Sequence, residues 1–168
     1  MEEPKHQRPS WDQYFSEIVK IVGSRGTCDR GRIGCVIVKD KKIIATGYAG
    51  APAGLKHCDE VGHEMNTVVH TDNHESRHCI RTTHAEQNAI VQAARFGAAI
   101  EGASLYCKST PCYACAKMII NAGIKRVICE EDYHAGERSK EVFKEAGVQY
   151  ELLSNRMTTY KDMGGEKK

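Results

Sequence analysis

The sequence predicts an α/β fold, a five-stranded mixed sheet with helices on both faces, and two observations predict it. From residue 84 onward β-branched runs alternate with amphipathic stretches, strand and helix by turns, and a two-strand hairpin precedes them. The length of 168 residues suits one domain, and 40% apolar with 27% charged residues is an ordinary globular mixture, which excludes wholesale disorder and fibrous repeats. One folded domain is therefore expected over 11–153, between an N-terminal extension at 1–10 and a polar C-terminal tail at 154–168.

Taken in order, Trp11, Tyr14, Phe15, Ile18, Val19 and Val22 recur at three-and-four spacing and predict a helix over Trp11–Val22, with Ser10 and Asp12 as its candidate caps. Ile33–Lys39 and Lys42–Tyr48 flank the polar Asp40-Lys41 and read as an antiparallel hairpin. Gly50–Thr83 is rich in Gly, Pro, His and Asp, with only Val68-Val69 to pack, and reads as a long loop that its scattered Cys and His could tie to a metal. Helices follow at His84–Phe96, Cys112–Asn121 and Glu137–Ala146, stopped by Gly97, Gly123 and Gly147. The strands Ala103–Cys107, Lys125–Cys129 and Val148–Leu152 lie between and after them. Helices of this length allow right-handed crossovers, so the later strands can run parallel.

No run approaches the roughly 18 apolar residues of a membrane span, and the start is polar, with Pro4 and Pro9, so a soluble cytoplasmic protein with no membrane partner is expected. Lys and Arg number 24 against 22 Asp and Glu, a net +2 that offers nucleic acid little support. Eight Cys and eight His in a chain without a secretion signal point to metal or catalysis before disulfides.

The central pattern is His84-Ala85-Glu86 followed by Pro111-Cys112-Tyr113-Ala114-Cys115, each part opening a predicted helix. Cys112 and Cys115 share one helical face, so both thiolates can reach one ion, and His84 brings an imidazole from the other helix. Cys-x-x-Cys alone fits a structural zinc knuckle or a redox pair equally well; the His-x-Glu start and Pro111 narrow it. Three ligands leave a tetrahedral Zn2+ one open position, the arrangement of a catalytic site, and Glu86 is placed to move protons. His-x-Glu with Pro-Cys-x-x-Cys is the known signature of zinc-dependent nucleobase deaminases.

Further segments extend the likeness: Cys35-Val36-Ile37-Val38-Lys39-Asp40, Ala45-Thr46-Gly47-Tyr48, His84 through Ile90, Thr110 through Lys117, Ile119 through Ile124, and Tyr133. From the first helix to the last strand the chain resembles the deoxycytidylate deaminase family. The resemblance implies a three-layer cytidine deaminase-like fold, hydrolysis of dCMP to dUMP with dCTP as a further substrate, and a homo-oligomer, hexameric or dimer-based. It also implies dCTP and dTTP as effectors, with Mg2+ accompanying the nucleotide. Tyr48, Ala49, Thr110 and Tyr133 match positions near the substrate, and Arg95 one associated with subunit contacts and regulation; for Tyr133 and Arg95, ordinary packing or surface roles compete. Where the family has Gly-Tyr-Asn-Gly this chain has Gly47-Tyr48-Ala49-Gly50, and Ala49 offers no hydrogen-bonding side chain. Pro52 and Gly54 keep the family's loop, either to wrap a phosphate or to make a tight turn.

Some members carry a second zinc in the loop-rich half, where Cys28, His57, Cys58, His63, His78 and Cys79 fall. Cys28, Cys58, His63 and Cys79 form a mixed sulfur and nitrogen set able to close tetrahedrally; free thiols and solvated histidines are the competing reading, and His70 and His74 are further donors. Cys35, Cys107 and Cys129 read as buried strand residues, and Arg25, Arg30 and Arg32 as either a phosphate-binding cluster or a solvated face. Two rival functions remain at this level: a deaminase of a purine base or a tRNA adenosine, and an inactive nucleotide- or zinc-binding regulatory protein. The presence of Glu86 speaks against the second.

Overall fold

In the computed structural model, which describes residues 6–69, 75–158 and 160, the first helix is α1 (Trp11–Ser24). Ser10 caps it reciprocally: the Gln13 N–H donates to Ser10 Oγ at 3.2 Å, and the Ser10 N–H donates to Gln13 Oε1 at 2.9 Å. The Asp12 side chain instead reaches the sheet, accepting from Tyr106 Oη at 2.7 Å and from both terminal nitrogens of Arg126 at 2.9 Å.

β1 (Gly34–Lys39) and β2 (Lys42–Tyr48) form the predicted hairpin, closed by Asp40 and Lys41 at φ 50° and 59°. Positive φ at both turn residues matches the right-handed twist of the strands. Next come α2 (Cys58–Val61) and a separate antiparallel pair, β3 (Met65–Val69) with β4 (Glu75–Cys79), so Gly50–Thr83, read as a long loop, carries a helix and two strands. The β3 side chains lie mostly exposed, which removes the inward apolar alternation by which a strand is recognised. His70 and His74 lie outside the described residues.

α3 (Ala85–Arg95), β5 (Ser104–Ser109), α4 (Tyr113–Asn121), β6 (Arg126–Glu131), α5 (Glu137–Glu145) and β7 (Gln149–Leu152) complete the order. The main sheet runs β2-β1-β5-β6-β7, antiparallel on either side of β1 and parallel from β5 to β7. It is the mixed five-stranded sheet expected.

Strand alternation divides the core. Val36, Val38, Tyr106 and Ile128 face Phe15 and Val19 of α1, whereas Cys35, Ile37, Leu105, Cys107, Val127 and Cys129 face α3, α4 and α5. Three layers result. The three strand cysteines are fully buried thiols, as their positions suggested. At Gly47 a Cβ would stand 2.1 Å from the Ala85 carbonyl and 2.5 Å from the Ala89 nitrogen, so only glycine lets the start of α3 lie this close on β2. Beyond β7 the polar segment doubles back: Met157 bridges to Asp132 and Thr158 is buried. Among the described residues no helix is long and apolar enough to cross a membrane.

Candidate active site and metal centres

His84 and Cys112 are the N-cap residues of α3 and α4, and Cys115 lies in the first turn of α4. The starts of two helices therefore converge, with their positive dipole ends toward the donors. His84 Nδ1 is 3.5 Å from Cys112 Sγ and 3.4 Å from Cys115 Sγ. All three donor atoms lie within 4.8 Å of one another. Tetrahedral zinc, with bonds of about 2.3 Å to sulfur and about 2.0 Å to nitrogen, requires sulfur and nitrogen about 3.5 Å apart. The donor set fits that ion.

Held this close, the donors perturb one another's protonation. Cys112 is lowered to about 4, chiefly by its hydrogen bond with Cys115, which outweighs burial, while Cys115 is pushed up by that bond and by burial. Two thiols thus share one charge, and a cation would displace the remaining proton. His84 rises to about 9, first through its hydrogen bond with Cys112 and against burial. Glu86, 5% exposed, is raised by burial, with the His84 charge opposing.

His84, Cys112 and Glu86 line a cavity of about 400 Å³, while Cys115 is fully buried. Ala49, Thr110, Tyr133 and the basic side chains Arg30, Arg32 and Arg77 also face it. Thr110 is held by Oγ1 contacts of 2.8 Å to both Asp132 Oδ1 and Tyr150 Oη. A buried acid beside a metal triad, in a pocket where three arginines outnumber the single Glu75 in the lining, suits chemistry on a small anionic substrate.

Residues 9–131 match the family model of the cytidine and deoxycytidylate deaminase zinc-binding region. The chain belongs to this family. It is 43% identical over 147 residues to ComE operon protein 2 of Bacillus subtilis, covering 88% of this chain and 73% of that protein. To the deoxycytidylate deaminase of Saccharomyces cerevisiae it is 38% identical over 143 residues, covering 84% of this chain but only 44% of the yeast protein, so it spans less than half of that relative. The crystal structure of dCMP deaminase from the cyanophage S-TIM5 in complex with dCMP and dUMP superposes with a TM-score of 0.71 at 28% identity, covering 88% of this chain and 99% of that one.

This deaminase has a second donor cluster. Cys28, Cys58, His63 and Cys79 place their ligand atoms within 4.8 Å of one another. Cys28 Sγ is 3.8 Å from His63 Nδ1, and Cys58 Sγ is 3.5 Å from Cys79 Sγ. His63 Nε2 meets Asp29 Oδ1 at 3.1 Å, the outer carboxylate contact that fixes a ligating imidazole. Burial pushes Cys58 up to about 12; Cys79, also raised by burial, is brought down to about 6 by hydrogen bonds led by that with Thr82. His57 instead bonds Thr27 Oγ1 through Nδ1 at 2.9 Å, and His78 faces the cavity.

Three further residues singled out in the sequence lie away from the cavity lining. Gly47 faces α3, so alternation sends the Tyr48 side chain to the other side of the sheet, and its carbonyl accepts from Asn88 Nδ2 at 2.8 Å. Arg95 ends α3 on the surface, its guanidinium 5.9 Å from the Phe96 ring centroid. Arg25 is exposed. Conversely, Arg77, His134 and Tyr160 line the cavity without having been singled out. Arg77 belongs to the exposed hairpin and Tyr160 to the polar end, where no periodicity points inward; adjacency to Tyr133 was the one signal for His134.

Proposed function

We propose that the chain hydrolyses dCMP to dUMP and ammonia, accepting dCTP as a further substrate, with Zn2+ held by His84 Nδ1, Cys112 Sγ and Cys115 Sγ. The observation that carries this is one cavity lined by His84 and Cys112 of a zinc-compatible triad, the buried acid Glu86 and three arginines. Relatives named deoxycytidylate deaminase, and a solved relative holding dCMP and dUMP, support the substrate. Zinc, when bound, supplies the Lewis acid that activates water near neutral pH.

The chain's own residues do the rest. Glu86 takes one proton from the attacking water and gives it to ring N3 of cytosine, then takes the second from the hydroxyl formed at the amino-bearing carbon and gives it to the amino group, which leaves as ammonia as its C–N bond breaks. Its burial suits this, since a carboxyl drawn above its ordinary value takes the water's proton more readily. Arg30, Arg32 and Arg77 suit the phosphate. Tyr133 and Thr110 line the nucleotide's side of the pocket, while Ala49 contributes shape only.

Cys28, Cys58, His63 and Cys79 hold a second, structural Zn2+; the S and N spacing and the Asp29 contact support this. Val91 and Phe96, exposed beside Arg95, support assembly into a homo-oligomer. Regulation by dCTP and dTTP with Mg2+, and a cytoplasmic location, rest on the resemblance to the family. The test is ammonia release by the zinc-loaded protein from dCMP, dCTP, deoxycytidine, CMP, guanine and a tRNA anticodon stem. dCMP turning over well above the others is expected; zinc bound with no turnover of any cytosine nucleotide overturns the reading.

A further inference from the structure

The family match stops at residue 131, yet the chain beyond β7 returns to the active-site cavity. The Asp132 N–H donates to the Arg156 carbonyl and the Thr158 N–H to the Asp132 carbonyl, each at 2.8 Å, so the segment continues along the end of β6. Thr158 is 1% exposed, and its hydroxyl lies 2.9 Å from Ser109 Oγ and 3.1 Å from Glu131 Oε2. Two residues on, Tyr160 enters the lining that holds Glu86, His84 and Cys112.

The ring is seated on several sides. Tyr133 meets it edge-on, with centroids 6.2 Å apart and planes at 88°. The Arg30 guanidinium lies 5.3 Å from its centroid. At Gly31 a Cβ would come within 2.8 Å of Tyr160 Cε1, so the absence of a side chain there makes room for the ring.

We infer that Tyr160 is a specificity-determining residue: its ring, set at right angles to that of Tyr133, is a wall of the pocket against which the planar base of the substrate is held, so a segment beyond the deaminase core completes the site. This rests on reading the cavity as that of a cytosine nucleotide deaminase. An aromatic face grips a base without hydrogen bonds, the kind of contact a pocket with Ala49 in its lining requires. Anchoring at Thr158 orders the ring before substrate arrives, which lowers the entropy cost of binding.

Steady-state kinetics on dCMP with zinc-loaded wild type, Tyr160→Ala and Tyr160→Phe tests it. Loss of base stacking raises KM about ten-fold or more in Tyr160→Ala, with kcat within about three-fold of wild type. Tyr160→Phe keeps the ring and stays within about two-fold in both constants. A Tyr160→Ala KM within about two-fold of wild type, or an equal loss in Tyr160→Phe, overturns the wall. If Tyr160→Ala loses zinc or thermal stability, Tyr160→Leu, which keeps bulk without an aromatic face, is judged by the same KM criterion. Wild type turning over no cytosine nucleotide overturns the substrate reading and this inference together; an active wild type with an unaffected variant overturns the inference alone.

Discussion

In the proposed reaction Glu86 carries the protons: it is buried, two residues from His84 at the start of α3. Glu86→Gln keeps the size and loses the acid, so kcat for ammonia release should fall by about two to four orders of magnitude. Zinc content, measured on the same sample, should stay unchanged. Cys112→Ser and Cys58→Ser separate the two donor clusters. Each should lower the metal-to-protein ratio by about one. Only Cys112→Ser should abolish turnover through loss of the ion at the reacting centre, whereas Cys58→Ser should lower the thermal midpoint by releasing the loops that Cys28, Cys58 and Cys79 draw together. At this scale the meeting of His84, Cys112 and Cys115 was legible because each part opens a helix at fixed spacing. Tyr160 was not, because its role depends on where Thr158 anchors the chain.

Among the elements, the contact of α3 with β2 aims His84 and Glu86, and Gly47 permits it. Gly47→Ala puts a methyl group 2.1 Å from the Ala85 carbonyl, so the helix start must move. Overpacking of this kind costs about 1–3 kcal/mol. Urea denaturation should report that loss, and kcat should drop with it, since the shifted residues carry the chemistry. Helix starts and stops could be read because caps and glycines mark them locally. Gly97, Gly123 and Gly147 do take positive φ at 66°, 75° and 69° after their helices. The β3–β4 hairpin could not be read, since a strand exposed on its faces has no reason to alternate.

Across the whole molecule, Arg126 ties α1 to the sheet by bonding Asp12 and Glu151 together. The Arg126 hydrogen bond, against some burial, holds the Asp12 carboxyl below its ordinary value of 3.8. A carboxyl lowered in the folded state stabilises above its unfolded pKa, and that stabilisation is lost as pH falls through the folded one. Wild type should therefore resist urea better than Asp12→Asn at neutral pH. The gap between their midpoints should shrink as pH drops below 3.8.

The sequence by itself determined the layers and the donors that meet in the triad. Alternating strands, amphipathic helices and donors at helix starts are local patterns, written within a few residues of one another. What only the tertiary structure decided is what gathers around that triad. Cys28, Cys58, His63 and Cys79 come from separate segments, Arg77 from an exposed hairpin, and Tyr160 from the end of the chain, seated on Gly31. Such groups meet only when the sheet, the loops and the returning end pack together, and no periodicity along the chain encodes that meeting.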